Sequence, residues 1–225
     1  IFEGLKAYKD DHGTPILFRP YENFERMNAS ARRMCMPELP EDIFIGGLRQ
    51  LISLDQDWIP TVPGSSLYIR PFMIATDEYV GIKISDHYKF VIFACPVNAY
   101  YPEPIKIKVE RQFVRSAHGG TGEAKTGGNY AASLYANAQA APLGYKQMLW
   151  TDAIEHKYIE ESGTMNVFFV IEDNIITPNL NGCILKGITR DSVLTLLRDK
   201  GYHVEERRIS IDEVIEAHRQ GLLKE

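Results

Sequence analysis

Lys125 lies in a stretch of this 225-residue chain that is unusually rich in glycine. Five glycines occur within six residues on either side of it, at positions 119, 120, 122, 127 and 128. Glycine adopts positive φ without strain and lets a ligand approach the backbone closely. Two kinds of chemistry fit a lysine in this setting: phosphate binding by backbone amides, and nucleophilic catalysis by the amine.

The spacing from Gly119 to Lys125–Thr126 comes close to the phosphate-binding pattern G-x-x-x-x-G-K-[ST]. However, Ala124 stands where that pattern requires the glycine before the lysine. Residues 111–116, which precede the loop, are also too polar for the buried parallel strand that such a loop follows. The sequence therefore disfavours a nucleotide-binding module, which stays open as a distant alternative.

A nucleophilic Lys125 needs a partly deprotonated amine near neutral pH, whereas the pKa of free lysine is about 10.4. Burial beside other cations lowers such a pKa, and Arg115 lies on the same segment. A lysine that holds pyridoxal phosphate also needs a carboxylate for the ring nitrogen and a hydroxyl for the phenolic oxygen. Arginine or helix-start amides must hold the phosphate. The chain contains candidates for each of these groups.

The segment 119–133 closely resembles the lysine segment of branched-chain aminotransferases, which are class IV, fold-type IV pyridoxal-phosphate enzymes. Further motifs match in family order: FEGLKAY at 2–8, FRP at 18–20 with Asn23 and Arg26, LYIRP at 67–71, ESGTMN at 161–166, and T-P-x-L-x-G-x-I-L-x-G-x-T-R at 177–190. The resemblance spans nearly the whole chain. It implies an α+β, two-domain fold-type IV architecture with mixed sheets and flanking helices.

The resemblance also implies the residues that hold pyridoxal 5′-phosphate. Lys125 is the implied covalent attachment point and catalytic base, Glu161 the carboxylate on the pyridine nitrogen, and Tyr130 the hydroxyl at the phenolic oxygen. The residues implied near the phosphate are Arg26, Thr164, Ile188 and Thr189, of which the 188–189 pair acts through amides at a helix start. Without the resemblance, each residue also fits a plain structural role, such as a surface acid, a core tyrosine or a helix cap.

The residues that bind the substrate are predicted partly from the strand pattern. Tyr68 and Arg70 share one face of a strand, because alternate residues do. The resemblance implies that they lie near the substrate carboxylate, one of them across a dimer interface, and that Arg115 lies near the site. It further implies that Phe2 and Tyr8 form an apolar wall for a branched side chain.

The implied reaction is a ping-pong transfer of an amino group between L-leucine, L-isoleucine or L-valine and 2-oxoglutarate. The implied assembly is a homodimer. Other class IV enzymes, namely a D-amino-acid aminotransferase or an aminodeoxychorismate lyase, remain alternatives, although the LYIRP and ESGTMN motifs favour the branched-chain group. A non-catalytic binding protein is the third alternative.

The elements that must position these residues are predicted from periodicity and capping signals. Strands are predicted at 2–8, 14–18, 65–75, 88–94, 105–109 and 166–171. Helices are predicted from Pro20 to before Pro37, from near Glu41, over 129–141, from a Thr189 cap to before Gly201, and from a capping box at 210–213.

Three prolines between positions 96 and 104 predict a linker. We predict a small N-terminal domain at 1–97, an interdomain linker at 98–113 and a large cofactor-binding domain at 114–225. Because the chain begins at Ile1 without Met, we expect an internal piece of a longer protein. The family's strands before Phe2 and its G-T-A segment then lie outside the sequence.

Composition restricts the partners. Hydrophobic residues make up 44% and charged residues 24%, as in globular domains. A net charge of -5 gives no basic field for nucleic acid or an anionic membrane, and no apolar run is long enough to span a bilayer. Three widely spaced cysteines, at 35, 95 and 183, argue against a disulfide framework and a zinc site. They predict reduced thiols and a cytoplasmic location, with no metal.

Overall fold

The computed structural model describes residues 1–101 and 103–225, which form two compact units. The N-terminal unit comprises residues 1–103 and 124–126, and the C-terminal unit comprises residues 104–123 and 127–225. Lys125 therefore belongs to the N-terminal unit, although it lies in the second half of the sequence. Pro102, part of the predicted linker, lies outside the described residues.

The N-terminal unit contains a four-stranded antiparallel sheet in the order β2-β1-β3-β4. Its strands are β1 (Leu5–Lys9), β2 (Pro15–Leu17), β3 (Ser66–Ala75) and β4 (Tyr88–Val97). Strand β4 runs three residues beyond its predicted end and includes Pro96, because proline is tolerated on an edge strand. The β1–β3 register pairs Lys6 with Tyr68 and so fixes the position of the LYIRP motif in the sheet.

Two helices cover this sheet. Helix α1 (Pro20–Arg33) begins at Pro20 as predicted, and α2 (Gly47–Asp55) follows a π-helical turn at Asp42–Gly46. Met27 of α1, Leu48 of α2 and Ile69 of β3 are completely buried in one core cluster. Burial of such side chains, worth roughly 1.5–3 kcal/mol each, holds the helices on the sheet.

The C-terminal unit contains two three-stranded mixed sheets. The first joins β5 (Ile107–Glu110), β6 (Gln147–Thr151) and β7 (Ile159–Ser162), with β5–β6 parallel and β6–β7 antiparallel. The second joins β8 (Phe169–Ile171), β9 (Asn174–Thr177) and β10 (His203–Glu206), with β9–β10 parallel. The predicted α+β class with mixed sheets is confirmed. Strand β5 lies inside the segment 98–113.

Four helices flank these sheets: α3 (Gly127–Ala132), α4 (Leu134–Ala140), α5 (Ile188–Asp199) and α6 (Ile211–Arg219). The single helix predicted over 129–141 is wrong, since the helix is interrupted at Ser133, whose hydroxyl donates to the Tyr130 carbonyl at 2.7 Å. The predicted Thr189 cap is also wrong, because Gly187 is the N-cap. Within the described ranges, no helix is both long and apolar enough to cross a membrane.

Candidate active site

The main chain of Lys125 is fixed on both sides within the N-terminal unit. Its carbonyl accepts a hydrogen bond from the Phe2 amide at 3.0 Å, and its own amide donates to Ser30 Oγ of α1 at 2.9 Å. Residues 124 and 126 are buried, whereas Lys125 is partly exposed. The fold thus immobilises the backbone of Lys125, while the side chain of this residue extends from the loop.

Phe2 lies between Lys125 and the predicted substrate residues. The Lys125 Nζ atom is 4.8 Å from the Phe2 ring centroid, and the Arg70 guanidinium carbon is 4.5 Å from it. Arg70 donates to the Tyr68 hydroxyl from Nη2 at 2.7 Å and from Nε at 3.1 Å. Gly4 makes room for that hydroxyl, because a Cβ there would lie 2.5 Å from it. The N-terminal unit therefore brings together four predicted groups: the Lys125 amine, the Arg70 guanidinium, the Tyr68 phenol and the Phe2 ring.

Arg26, the predicted phosphate residue, is held by an acid that sequence reasoning missed. Its Nε and Nη2 atoms donate to the two carboxylate oxygens of Glu3 at 2.8 and 2.9 Å. Glu3 is completely buried and also accepts from Asn23 Nδ2 at 2.7 Å. Such a two-point pair fixes the plane of a guanidinium. The signal was present in the FEGLKAY and F-R-P…N…R motifs, which supply all three residues.

Glu161 is the central acid of the C-terminal unit. It lies on β7, where all four residues are buried. Its Oε1 atom accepts from the Leu185 amide at 2.8 Å, and its Oε2 atom is 3.1 Å from Arg115 Nε. A guanidinium and a backbone amide stabilise the negative charge of this carboxylate. The structure therefore favours the site interpretation of Glu161 over a surface acid.

Arg115 is buried against Glu161. Its Nη2 atom donates to the carbonyls of Gly122 and Cys183, and its side chain thereby ties the loop before Lys125 to the segment at 183. In this unit its contacts are with protein groups. Its assignment as a substrate residue stays a prediction.

The close approach of these segments depends on Gly122. A Cβ at this position would lie 2.5 Å from the Cys183 carbonyl oxygen and 2.7 Å from Ser116 Cβ. We expect Gly122→Ala to destabilise the protein by about 1–3 kcal/mol, the usual cost of overpacking. The measurement is the urea midpoint. Gly127→Ala is the matched control, since nothing lies within 4 Å of a Cβ there. Equal midpoints for the two variants would contradict this account of Gly122.

Tyr130 and Thr164 join Glu161 and Arg115 around one small pocket of the C-terminal unit. Asn129, also at this pocket, accepts from Thr121 Oγ1 at 2.7 Å and donates to the Thr121 carbonyl at 2.5 Å. These two bonds attach the glycine-rich loop to α3. Sequence reasoning predicted Tyr130 and Thr164 but missed Asn129, which lies in the matched lysine segment.

Ile188 and Thr189 are the first two residues of α5. The first amides of a helix have no partner within the helix and form an anion-binding end. Gly187, the N-cap, packs against the ESGTMN motif, because a Cβ there would collide with Asn166 Oδ1. Asn166 Nδ2 in turn donates to the Leu185 carbonyl at 3.0 Å. The helix start and Glu161 are thus parts of one packed assembly.

The structure also bears on the nucleotide-binding alternative. A phosphate-binding loop connects a buried strand directly to a helix. Here β5 ends at Glu110, well before Gly119, and α3 begins only at Gly127. The geometry does not favour that alternative.

Comparisons with known proteins identify the family. The profile of amino-transferase class IV matches residues 1–220. The chain belongs to this family. Branched-chain-amino-acid aminotransferase 2 of Bacillus subtilis (strain 168) is 54% identical over 228 residues, covering 100% of this chain and 63% of that protein. The branched-chain-amino-acid aminotransferase of Mycolicibacterium smegmatis is 50% identical, covering 95% of this chain and 60% of that protein.

This class IV chain therefore spans less than two thirds of the length of these relatives. Among solved structures, the Escherichia coli branched-chain amino acid aminotransferase matches with a TM-score of 0.81 at 27% identity, covering 99% of this chain and 70% of that one. A T.th. branched-chain amino acid aminotransferase complexed with N-(5′-phosphopyridoxyl)-L-glutamate matches with a TM-score of 0.80 at 27% identity, covering 95% and 68%. The predicted family and fold class are confirmed.

Proposed function

We propose that this chain is part of a branched-chain-amino-acid transaminase that uses pyridoxal 5′-phosphate. The enzyme transfers the amino group between L-leucine, L-isoleucine or L-valine and 2-oxoglutarate. The observation that carries the proposal is the buried Glu161 carboxylate, fixed by Arg115 and the Leu185 amide within the family motif. The names of relatives at 50–54% identity favour the branched-chain reaction over the other class IV activities.

The residues present fit the cofactor by their chemistry. Lys125 offers a primary amine on an immobilised backbone, and Glu161 offers a buried carboxylate for a ring nitrogen. For a phosphate, the C-terminal unit offers the start of α5, with Ile188 and Thr189, and the N-terminal unit offers the guanidinium of Arg26. Tyr130 supplies a hydroxyl and Thr164 a further polar contact. When bound, pyridoxal phosphate supplies an electron sink conjugated to the substrate Cα.

Lys125 and Glu161 divide the catalytic work. Lys125 Nζ would be the point of attachment for pyridoxal phosphate and would act as the base that moves the proton of the substrate Cα. Glu161, whose negative charge Arg115 stabilises, would hold the ring nitrogen in its protonated form. The Lys125 backbone accepts a hydrogen bond from the Phe2 amide and donates one to Ser30 Oγ, and these two bonds keep it in place.

Substrate recognition must serve an apolar and an acidic side chain in turn. Arg70, aligned by the Tyr68 hydroxyl at 2.7 Å, is suited to bind a carboxylate. Phe2 offers an apolar face beside it. An apolar wall with an arginine at its edge accommodates both substrate classes.

We further propose that the enzyme is a cytoplasmic homodimer that acts on small-molecule substrates. Support for a dimer comes from Val80 and Ile82, whose side chains are fully exposed on the β3–β4 connection. Contact with a second copy would bury this apolar surface. Three free cysteines, none paired among the described residues, support a reducing compartment.

The deciding experiment compares three reactions of the full-length protein under identical conditions. We expect amino transfer from L-leucine to 2-oxoglutarate to be much faster than turnover of D-alanine or aminodeoxychorismate. An absorption spectrum before and after L-leucine should show loss of the cofactor's visible band. A clear preference for D-alanine, or a colourless protein that pyridoxal phosphate does not change, would contradict the proposal.

A further inference from the structure

Glu160, next to the proposed catalytic acid, is a second buried carboxyl that the proposed reaction does not use. It is 3% exposed, like Glu161, and the two side chains lie on opposite faces of β7 because neighbouring strand residues alternate. A second pair of neighbours matches them. Arg115 lies 3.1 Å from Glu161, and Ser116 Oγ lies 3.5 Å from Glu160 Oε2.

The hydrogen bonds of Ser116 show how little this residue stabilises a charged Glu160. Its hydroxyl has one proton and lies 2.8 Å from the Cys183 carbonyl but 3.5 Å from Glu160 Oε2. A separation of 3.5 Å between two oxygen atoms is long, so Ser116 gives a Glu160 carboxylate at most a weak hydrogen bond. This contact therefore does little to hold Glu160 in its ionised form.

The count of charges leads to the same assignment. The two adjacent buried carboxyl groups, Glu160 and Glu161, share one buried cation, Arg115. The Nε atom of Arg115 contacts Glu161, and its Nη2 atom donates to two backbone carbonyls. The Leu185 amide also serves Glu161. A buried carboxylate without a close charge partner is costly and tends to take up a proton. The negative charge therefore resides on Glu161.

The groups around Glu160 act on its pKa in both directions. The pKa of Glu160 is raised to about 7, mainly by burial. The charges of Asp152 and Glu161 also raise this pKa, whereas the attraction of Arg115 and a hydrogen bond with Cys183 lower it. Asp152 stays ionised: although burial acts to raise its pKa, four backbone amides of residues 154–158 lower it to about 2.

A cavity of about 560 Å³ in the C-terminal unit connects Glu160 with solvent-facing groups. His118, Asp152, Glu155 and Arg208 also line it. Arg208 is occupied by Glu155 at 3.1 Å and by the Tyr158 ring at 3.4 Å. The cavity gives the Glu160 carboxyl a route for proton exchange, and Arg208, a cationic side chain in its lining, already has partners.

We propose that Glu160 is a positioning residue that carries an exchangeable proton at neutral pH. Through Arg115, it adjusts how strongly the Glu161 carboxylate binds a cationic ring. This inference rests on the proposed function. When Glu160 loses its proton to solvent through the cavity, a second negative charge competes for Arg115 and strengthens Glu161 as an acceptor. By reciprocity, a cation bound at Glu161 favours release of the Glu160 proton.

The test measures protons rather than turnover. Apoprotein of the full-length chain is titrated at pH 7 with pyridoxine 5′-phosphate, which lacks the aldehyde and cannot react with Lys125. Calorimetry in two buffers of different ionisation heat counts the protons released. If binding lowers the pKa of Glu160 by about half a unit, the wild type releases about a quarter of a proton more than Glu160→Gln.

The same coupling predicts a pH-dependent affinity. Between pH 6 and pH 8 the affinity of the wild type for pyridoxine phosphate should rise about 2.5-fold relative to Glu160→Gln, since a fall of half a unit from a pKa of about 7 gives that factor over this range. Glu155→Gln is the matched control, because this carboxyl lies at the same cavity but pairs with Arg208. It should behave as the wild type.

A second measurement needs no ligand. Infrared difference spectra of the apoprotein between pH 6 and pH 8 should contain a protonated-carboxyl band, which Glu160→Gln removes and Glu155→Gln keeps. Equal proton counts in wild type and Glu160→Gln, or a missing band, would overturn the proposal for Glu160. Absence of any binding would instead count against the proposed function.

Discussion

Replacing Lys125 by alanine should reduce transamination of L-leucine at least a thousandfold while the protein stays folded. The variant lacks both the amine that holds the cofactor and the base that moves the Cα proton, and positioned proton transfer alone contributes about 10²–10⁴-fold. The fold should survive because the bonds to Phe2 and Ser30 use only main-chain atoms of residue 125. The measurement is kcat/KM together with the circular dichroism spectrum.

The control for Lys125→Ala is Lys200→Ala, which removes an exposed lysine at the end of α5. It should keep wild-type turnover. Borohydride reduction followed by peptide mapping should label residue 125 in the wild type and in the control. A label on another side chain, or turnover in Lys125→Ala near that of the wild type, would refute the assignment.

The second large effect is expected for Glu161→Gln. Glutamine keeps the shape of the side chain but lacks its charge, so the ring nitrogen is no longer held protonated and the cofactor becomes a weaker electron sink. We expect kcat to fall by about 10²–10³-fold, the scale on which a single electrostatic contact acts in catalysis. Pyridoxal phosphate should still bind.

Glu161→Gln should also destabilise the protein, by about 3 kcal/mol, because it leaves the Arg115 guanidinium buried without its counter-charge. Urea unfolding measures this loss, and turnover is assayed where the variant is fully folded. Glu155→Gln, the same chemical change at an exposed acid, controls for the loss of one charge. Near-normal turnover of folded Glu161→Gln would remove this residue from the site.

Local signals allowed much of the fold to be predicted. Pro20 begins α1, and Ser210 caps α6 by accepting from the Glu213 amide at 3.1 Å, because both effects act within one helical turn. Gly201, with φ of 78°, follows the end of α5 as predicted. Strand β7 was missed, since Glu160 and Glu161 are poor strand formers whose burial depends on distant residues.

The candidate site was predicted mainly through the family motifs. These motifs single out Lys125 and Glu161, yet they do not reveal which groups hold them. The Leu185 amide at Glu161 and the Ser30 hydroxyl at Lys125 are distant in sequence, and only the folded chain brings them together. The contact of Arg115 with Glu161, 46 positions further along the chain, could likewise not be read from local spacing.

The first three residues join the lysine to the substrate strand through main-chain atoms. Phe2 donates to Lys125, Glu3 donates to Pro71 at 2.7 Å, and Met73 donates to Ile1 at 2.9 Å. Side-chain replacements along β3 therefore leave these main-chain hydrogen bonds intact. On the proposed function, exchange of side chains along this strand changes the substrate preference while Lys125 keeps its place.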